Sequence, residues 1–459
     1  MASYSAAGSV SVRPYVTVNG QPANAQTAPN PELGEDRWST RQVLVVAICF
    51  LLNMLDGMDV LILSYIAPAL SADWRISPEN LGVVFSASLA GMAAGGLLVA
   101  PLADRFGRRK LILASLVMMA AAMFGSGIAT SVTELLASRF VVGIGIGTVL
   151  ASMAALTAEY APARHRTFAV GFLQAGYPVG ATLTGFLVAQ HIDAHGWQTM
   201  LLCAAALCTL SIPLVLAFLP ESIDFLVTRQ PAGALRRANR LLVAIGRAPL
   251  EHLPRRSEAQ DKRIGLSGLL GEGRAANTLL LWLAITLSFM TLYFVISWIP
   301  KLAVEAGLPA KDAIYAGAIY NIGAFVGISS LSYVAMRVDL RRLILGYMVL
   351  AAGALVVFGS AAMPLAATLL TAFLIGVFVQ GGFNGCYPLA TSLYPAQARS
   401  TGLGWAMGVG RIGAVIGPML GGFLLAEKVS LPIIFAIFAV PIVLAGLCVA
   451  MIRLPKAQL

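Results

Sequence analysis

Apolar residues in this chain gather into long runs separated by short polar breaks, and such runs recur twelve times. Crossing about 30 Å of hydrocarbon takes roughly 20 apolar residues as helix, and only helices or closed barrels satisfy the backbone there. These runs are too long for barrel strands. The pattern predicts spans at Gln42–Leu70, Asn80–Leu102, Leu111–Ala129, Glu134–Thr157, Phe168–Gln190 and Thr199–Leu219. Six more are predicted at Thr278–Ile299, Ala313–Ala335, Leu343–Ala361, Pro364–Leu389, Thr401–Ala426 and Leu431–Met451. Pro220 to Asn277, between the two sets, is polar and carries ten Lys or Arg, as a linker would. The expected organisation is a tail over 1–41, a six-helix bundle over 42–219, a cytoplasmic linker over 220–277, a second six-helix bundle over 278–452 and a short tail over 453–459. The first forty residues are rich in Ala, Ser, Pro, Asn and Gln and lack the apolar centre of a signal peptide. They read as a disordered tail, which leaves the first span to act as an uncleaved insertion signal.

Composition points the same way, with 11% charged and 58% apolar residues and a mean hydropathy of +0.82. A soluble domain has roughly 25% and 45–50%. The net charge of +10 does not imply nucleic acid, because the basic residues fall in short breaks between apolar runs rather than on a water-facing patch. Their distribution orients the chain instead. Only Arg75, Lys301, Lys311 and Lys428 lie in odd-numbered loops, and Arg139 and Arg411 lie inside spans. The other basic residues occupy the tails and even-numbered loops, so both termini are expected in the cytoplasm of a cell with an inner, cytoplasmic membrane. Cys49, Cys203, Cys208, Cys386 and Cys448 sit inside apolar stretches without paired or metal-like spacing and read as small hydrophobes. No metal or organic cofactor is expected.

The two halves resemble each other. The loop after the second span reads Ala103-Asp104-Arg105-Phe106-Gly107-Arg108-Arg109-Lys110, and the loop after the eighth reads Ala335-Met336-Arg337-Val338-Asp339-Leu340-Arg341-Arg342. Basic and apolar positions coincide at a constant offset. Pro162 to Arg166 and Pro395 to Arg399 repeat at nearly the same offset. Equal topology in both halves implies parallel repeats about an axis along the membrane normal, one of the plans of secondary transporters.

The run Leu102-Ala103-Asp104-Arg105-Phe106-Gly107-Arg108-Arg109-Lys110 resembles the signature between helices two and three of the major facilitator superfamily. Asp56-Gly57-Met58-Asp59 in the first span is similar to the D-G-x-D motif of its aromatic acid:proton symporters, and the resemblance extends over about Gln42 to Arg453. It implies an all-α membrane fold of twelve helices in two six-helix bundles. It also implies gating roles for Asp104, Arg105, Gly107, Arg108, Arg109, Glu159 and Arg399, and functional charges at Arg139 and Arg411. Pro220-Glu221-Ser222 fits the same pattern. The second-half loop departs from it, because Met336 stands where an acidic residue is usual and only Asp339 is near enough to substitute.

The residues themselves carry a chemical argument. Intramembrane carboxylates cost a few kcal/mol, so Asp56 and Asp59 need a reason to be there. Three residues apart, they are expected on one helix face toward a central cavity, with Asn53 a turn earlier, and burial and mutual repulsion make at least one a candidate proton carrier. Arg139 and Arg411 can each grip a carboxylate with two parallel hydrogen bonds, and Arg139 can alternatively pair with an aspartate. Aromatic residues in the cavity spans, among them Tyr177, Trp298, Tyr387 and Trp405, are candidates for stacking on substrate. The glycine strings Gly143 to Gly147 and Gly413 to Gly422 lack the preceding strand of a phosphate loop and read as packing faces.

The expected function is proton-coupled uptake of a small aromatic carboxylate, such as a hydroxybenzoate, by alternating access. The chain is expected to work as a monomer in the bilayer, with protons and a small organic anion as its ligands. A symporter of a dicarboxylate or muconate-like acid is the alternative, and drug efflux fits less well because Tyr177-Pro178 replaces its usual glycine-proline pair. A membrane sensor would need a larger soluble domain than the linker provides, and an enzyme would need a nucleophile-base or metal set that the sequence lacks.

Overall fold

The computed structural model of the chain describes residues 38–254, 269–271, 273–360, 363–394 and 399–453. Most of the expected N-terminal tail, part of the linker and all but the first residue of the C-terminal tail lie outside the described residues, as does the side chain of Arg399. Among the described residues, eleven helices are long and apolar enough to cross a membrane. One of these, Arg166–Phe218, is two spans joined end to end, because Gly196 interrupts it with φ 77° and ψ 166°. Glycine reaches that backbone region without a Cβ clash, so a turn expected between Gln190 and Thr199 is made by a single residue. The twelve predicted spans are thereby accounted for.

The helices overrun the apolar stretches that predict them. The first runs Thr40–Trp74, and Ser39 caps it: the serine hydroxyl accepts from the Gln42 N–H while the Gln42 side chain accepts from the Ser39 N–H. The second span, Pro78–Phe106, opens on a Ser77 cap and loosens into a π-helical turn at Gly95–Val99. The tenth, Leu365–Leu393, does the same at Gly376–Gln380. The linker is more structured than its polarity suggests, with short helices at Ile223–Arg229 and Ala234–Ala244.

Glycine sets the packing within each half. The first and fifth spans touch through Gly57, Gly176 and Gly180, where a Cβ would strike the backbone of Tyr177, Phe50 and Met54. The seventh span, Ala275–Glu305, and the eleventh, Arg399–Ala426, meet the same way through Gly413 and Gly417. Second and fourth spans meet at Gly91, Gly143 and Gly147, and eighth and tenth at Gly323, Gly327 and Gly376. Each pair in the first half returns six spans later, which is the geometric content of the parallel repeat. Close backbone approach replaces a hydrophobic driving force that lipid does not supply.

Candidate functional site

A cavity of about 90 Å³ lies between the halves. The first half contributes Asn53 and Asp56 from the first span, Met92 from the second, and Gln174 and Tyr177 from the fifth. The second half contributes Phe289 and Tyr293 from the seventh span, Gln380, Phe383 and Tyr387 from the tenth, and Arg411 from the eleventh. Its size suits a compact solute, well under the 300–1,000 Å³ common for drug-sized ligands.

The two aspartates do not share the cavity, contrary to their expected common face. Asp56 lines it, whereas Asp59 turns into the first half and meets Arg139 at 2.9 Å, both side chains almost fully buried. Three residues of helix turn the direction by about 300°, so the two side chains point about 60° apart and reach different neighbours. Arg139 also donates from Nε to the Ser126 hydroxyl, which bonds Ser138 in turn. It is thus held among the first, third and fourth spans rather than in the cavity wall, and the expected grip on substrate by Arg139 has no geometric basis in this conformation. The guanidinium that does face the cavity is Arg411. Asp56 and Tyr293 line the same cavity, and the Arg411 Nη1 rests 3.7 Å from the Met92 sulfur.

Of the expected aromatics, Tyr177 and Tyr387 line the cavity. Trp298 does not: it is fully buried, donates from Nε1 to the Pro418 carbonyl at 3.0 Å and meets Phe85 edge-on. Trp405 stacks on Trp282 away from the cavity and is 40% exposed. Gln174, Gln380 and Asn384 in the lining carry no motif, and polar residues within apolar spans were the only available signal for them.

Of the expected gating charges, Asp104, Arg108 and Glu159 form one cluster at the even-loop end of the first half, with Gly107 and Arg109 beside it. Arg108 pairs with Glu159 at 2.8 Å and approaches Asp104 at 3.9 Å and Asp224 at 3.8 Å. Glu159 accepts from the Ser222 hydroxyl and the Asp224 N–H, which caps the start of the helix Ile223–Arg229. Glu221 accepts from the Arg109 N–H, and Gly107 turns the chain at φ 102° beside it. Arg105 is exposed and, among the described residues, stacks on its neighbour Phe106. In the second half Asp339 stays local. Partial burial works against its charge, yet the Arg342 N–H and the Arg341 guanidinium outweigh this and hold its carboxyl below the ordinary range. Met336 is exposed.

Hydrogen bonds between the halves, among the described residues, gather toward the odd-loop side. Ser64 donates to the Ile296 and Ser297 carbonyls at 2.7 and 2.9 Å, Ser86 to the Val415 carbonyl at 2.7 Å, and Asn321 to the Tyr65 hydroxyl at 3.3 Å.

The sequence pattern of the Major Facilitator Superfamily matches residues 49–358 and again 281–458. The 4-hydroxybenzoate transporter PcaK of Acinetobacter baylyi is 31% identical over 421 residues, covering 90% of this chain and 91% of its own. The gallate transporter of Pseudomonas putida is 31% identical over 416 residues, covering 89% and 91%. Among solved structures, the xylose transporter XylE from E. coli, in a partially occluded inward-open conformation, aligns with a TM-score of 0.73 at 20% identity, over 92% of this chain and 100% of that one.

Proposed function

The chain belongs to the major facilitator superfamily, in its aromatic-acid branch, and on that premise we propose that it carries a small aromatic monocarboxylate inward together with protons. Membership makes it a multi-span membrane transporter and not an enzyme. The observation that carries the finer reading is that Arg411 and Asp56 line one cavity, walled by the rings of Phe289, Phe383 and Tyr387. A guanidinium cannot shed its charge, and a planar carboxylate matches its fork. Rings on the wall supply the apolar faces that an aromatic ligand stacks on. Relatives named as 4-hydroxybenzoate, gallate and benzoate transporters support this class. The dicarboxylate alternative is disfavoured, because Arg411 is the one cation lining the cavity among the described residues and Arg139 is committed to Asp59.

In this reading Asp56 is the proton carrier. While it is ionised it competes with substrate for Arg411, and protonation releases the guanidinium to the substrate carboxylate. The two ligands are thereby coupled, each raising affinity for the other. One proton per anion makes import electroneutral, and a second would add about 2.3 kcal/mol per 100 mV of membrane potential. Alternating access about the midplane site then moves both across, with the termini cytoplasmic, the protein in the inner membrane and the monomer as the working unit.

Uptake of radiolabelled benzoate, hydroxybenzoates and aliphatic diacids into proteoliposomes under an imposed pH gradient tests the reading. Aromatic monocarboxylates should accumulate and diacids should not. Asp56→Asn should lose accumulation while keeping counterflow. Accumulation by Asp56→Asn together with its loss in Asp59→Asn would move the proton to the Asp59–Arg139 pair.

A further inference from the structure

We propose that Asn53, with Gln380 from the other half, is an acceptor pair that reads a hydroxyl on the substrate ring. The inference rests on the aromatic carboxylate reading above and refines its substrate class to ring-hydroxylated acids.

Asn53 is 1% exposed and lies in the cavity lining. Its amide nitrogen donates to the Leu173 carbonyl at 2.6 Å. A carbonyl only accepts, so this bond fixes which end of the amide is which, and Oδ1 is left as an acceptor. That oxygen is buried and has no protein partner. A second such acceptor is the Gln380 side-chain oxygen, also buried and unpartnered in the same lining. Gln380 ends the π-helical turn Gly376–Gln380, a wide turn of the kind that recurs at functional sites. Asp56, one helical turn after Asn53, presents a third unpartnered oxygen.

The cavity therefore has two chemical poles. Arg411 is a fixed donor for a carboxylate, and the oxygens of Asn53 and Gln380 are acceptors that only a donor can satisfy. A bare benzoate satisfies the first pole and leaves the second desolvated without a partner. A hydroxyl on the ring donates to it. Sites built to bond a substrate hydroxyl reject the analogue lacking it far more strongly than apolar pockets reject a missing methylene, because the protein's own polar groups are left unpaired.

The test compares kcat/KM for benzoate, 3-hydroxybenzoate and 4-hydroxybenzoate in proteoliposomes holding the full chain, for the unmodified protein, Asn53→Leu and Gln380→Leu. The unmodified protein should prefer at least one hydroxybenzoate over benzoate by about tenfold or more, and each variant should collapse that ratio toward unity. Gln380→Leu leaves the Asn53–Leu173 bond in place, so it separates recognition from packing of the first and fifth spans. Equal handling of benzoate and hydroxybenzoates by the unmodified protein, or an unchanged ratio in a folded Gln380→Leu, overturns the inference while leaving aromatic carboxylate transport standing. Failure to carry any of the three acids overturns the reading beneath it instead.

Discussion

A guanidinium shut away from water is tolerated only while a carboxylate answers it, and among the described residues Asp59 is the carboxylate that answers Arg139. Removing one partner of a buried pair typically costs roughly 3–5 kcal/mol, whereas removing both is often neutral. Arg139→Gln and Asp59→Asn should each lower the melting temperature of the detergent-solubilised protein, and the double variant should recover much of the loss. Additive losses would show that the two side chains act separately. Arg411 is different in kind, since it lines the cavity and in the proposed function is a ligand group: Arg411→Lys keeps the charge but loses the planar fork. Binding of carboxylate should weaken at least tenfold, measured by substrate-induced fluorescence change, with little change in melting temperature; a lysine that binds equally well would reduce the contact to simple Coulomb attraction. Sequence made both arginines visible as lone cations in apolar spans but could not tell them apart. Which one faces the cavity depends on the neighbours each helix acquires on packing, and a 60° difference of direction along one helix separates Asp56 from Asp59 in the same way.

Elements were the most legible level, because helix length and apolar content are set by the bilayer and written directly into the chain. All twelve spans were readable on that basis. The joint at Gly196 was not, since a single glycine with positive φ can replace a polar loop without any compositional signal. The even-loop cluster was readable as a motif, and Glu159 and Pro220-Glu221-Ser222 were read with it, but which groups meet was not. Glu221 and the helix at Ile223–Arg229 come from beyond the sixth span and reach the motif only through the fold. Gly107 is the tightest point of this cluster, where a Cβ would lie 2.5 Å from a Glu221 oxygen at a backbone φ of 102°. Gly107→Ala should therefore lower both transport and thermal stability, the latter by about 1–3 kcal/mol from backbone strain alone. Arg105→Ala, which removes only a stack on Phe106, should cost less than about 0.5 kcal/mol. Equal losses in thermal melts and uptake would mean that the loop acts through its charge rather than through its turn.

At the scale of the whole molecule, the halves of the described conformation bond each other on the odd-loop side, and the proposed alternating access requires those contacts to break. Among the glycines, a close backbone approach between the halves lies between the second and eleventh spans. A Cβ on Gly82 would sit 2.6 Å from the Pro418 carbonyl oxygen, and one on Gly422 would strike the Pro78 carbonyl. The three atoms nearest a Cβ at 82 all belong to the other half: the Pro418 carbonyl oxygen and the Cα atoms of Met419 and Gly422. Gly82→Val should thus leave each bundle intact and act as a wedge between them. Overpacking a tight contact costs about 1–3 kcal/mol, and a penalty paid in only one of two states shifts their ratio by roughly five- to 150-fold. The variant should favour the conformation open to the odd-loop side. A cysteine at Ala318, fully buried in this seal against Gly185, reports that opening once the five native cysteines are replaced. An impermeant maleimide added from the odd-loop side should label it at least fivefold faster in Gly82→Val than in the parent, while substrate uptake slows because the return to the sealed state is impaired. Unchanged labelling in a folded, inserted variant would mean that this crossing does not separate during transport, and the seal would then have to open about the Ser64 and Tyr65 contacts instead.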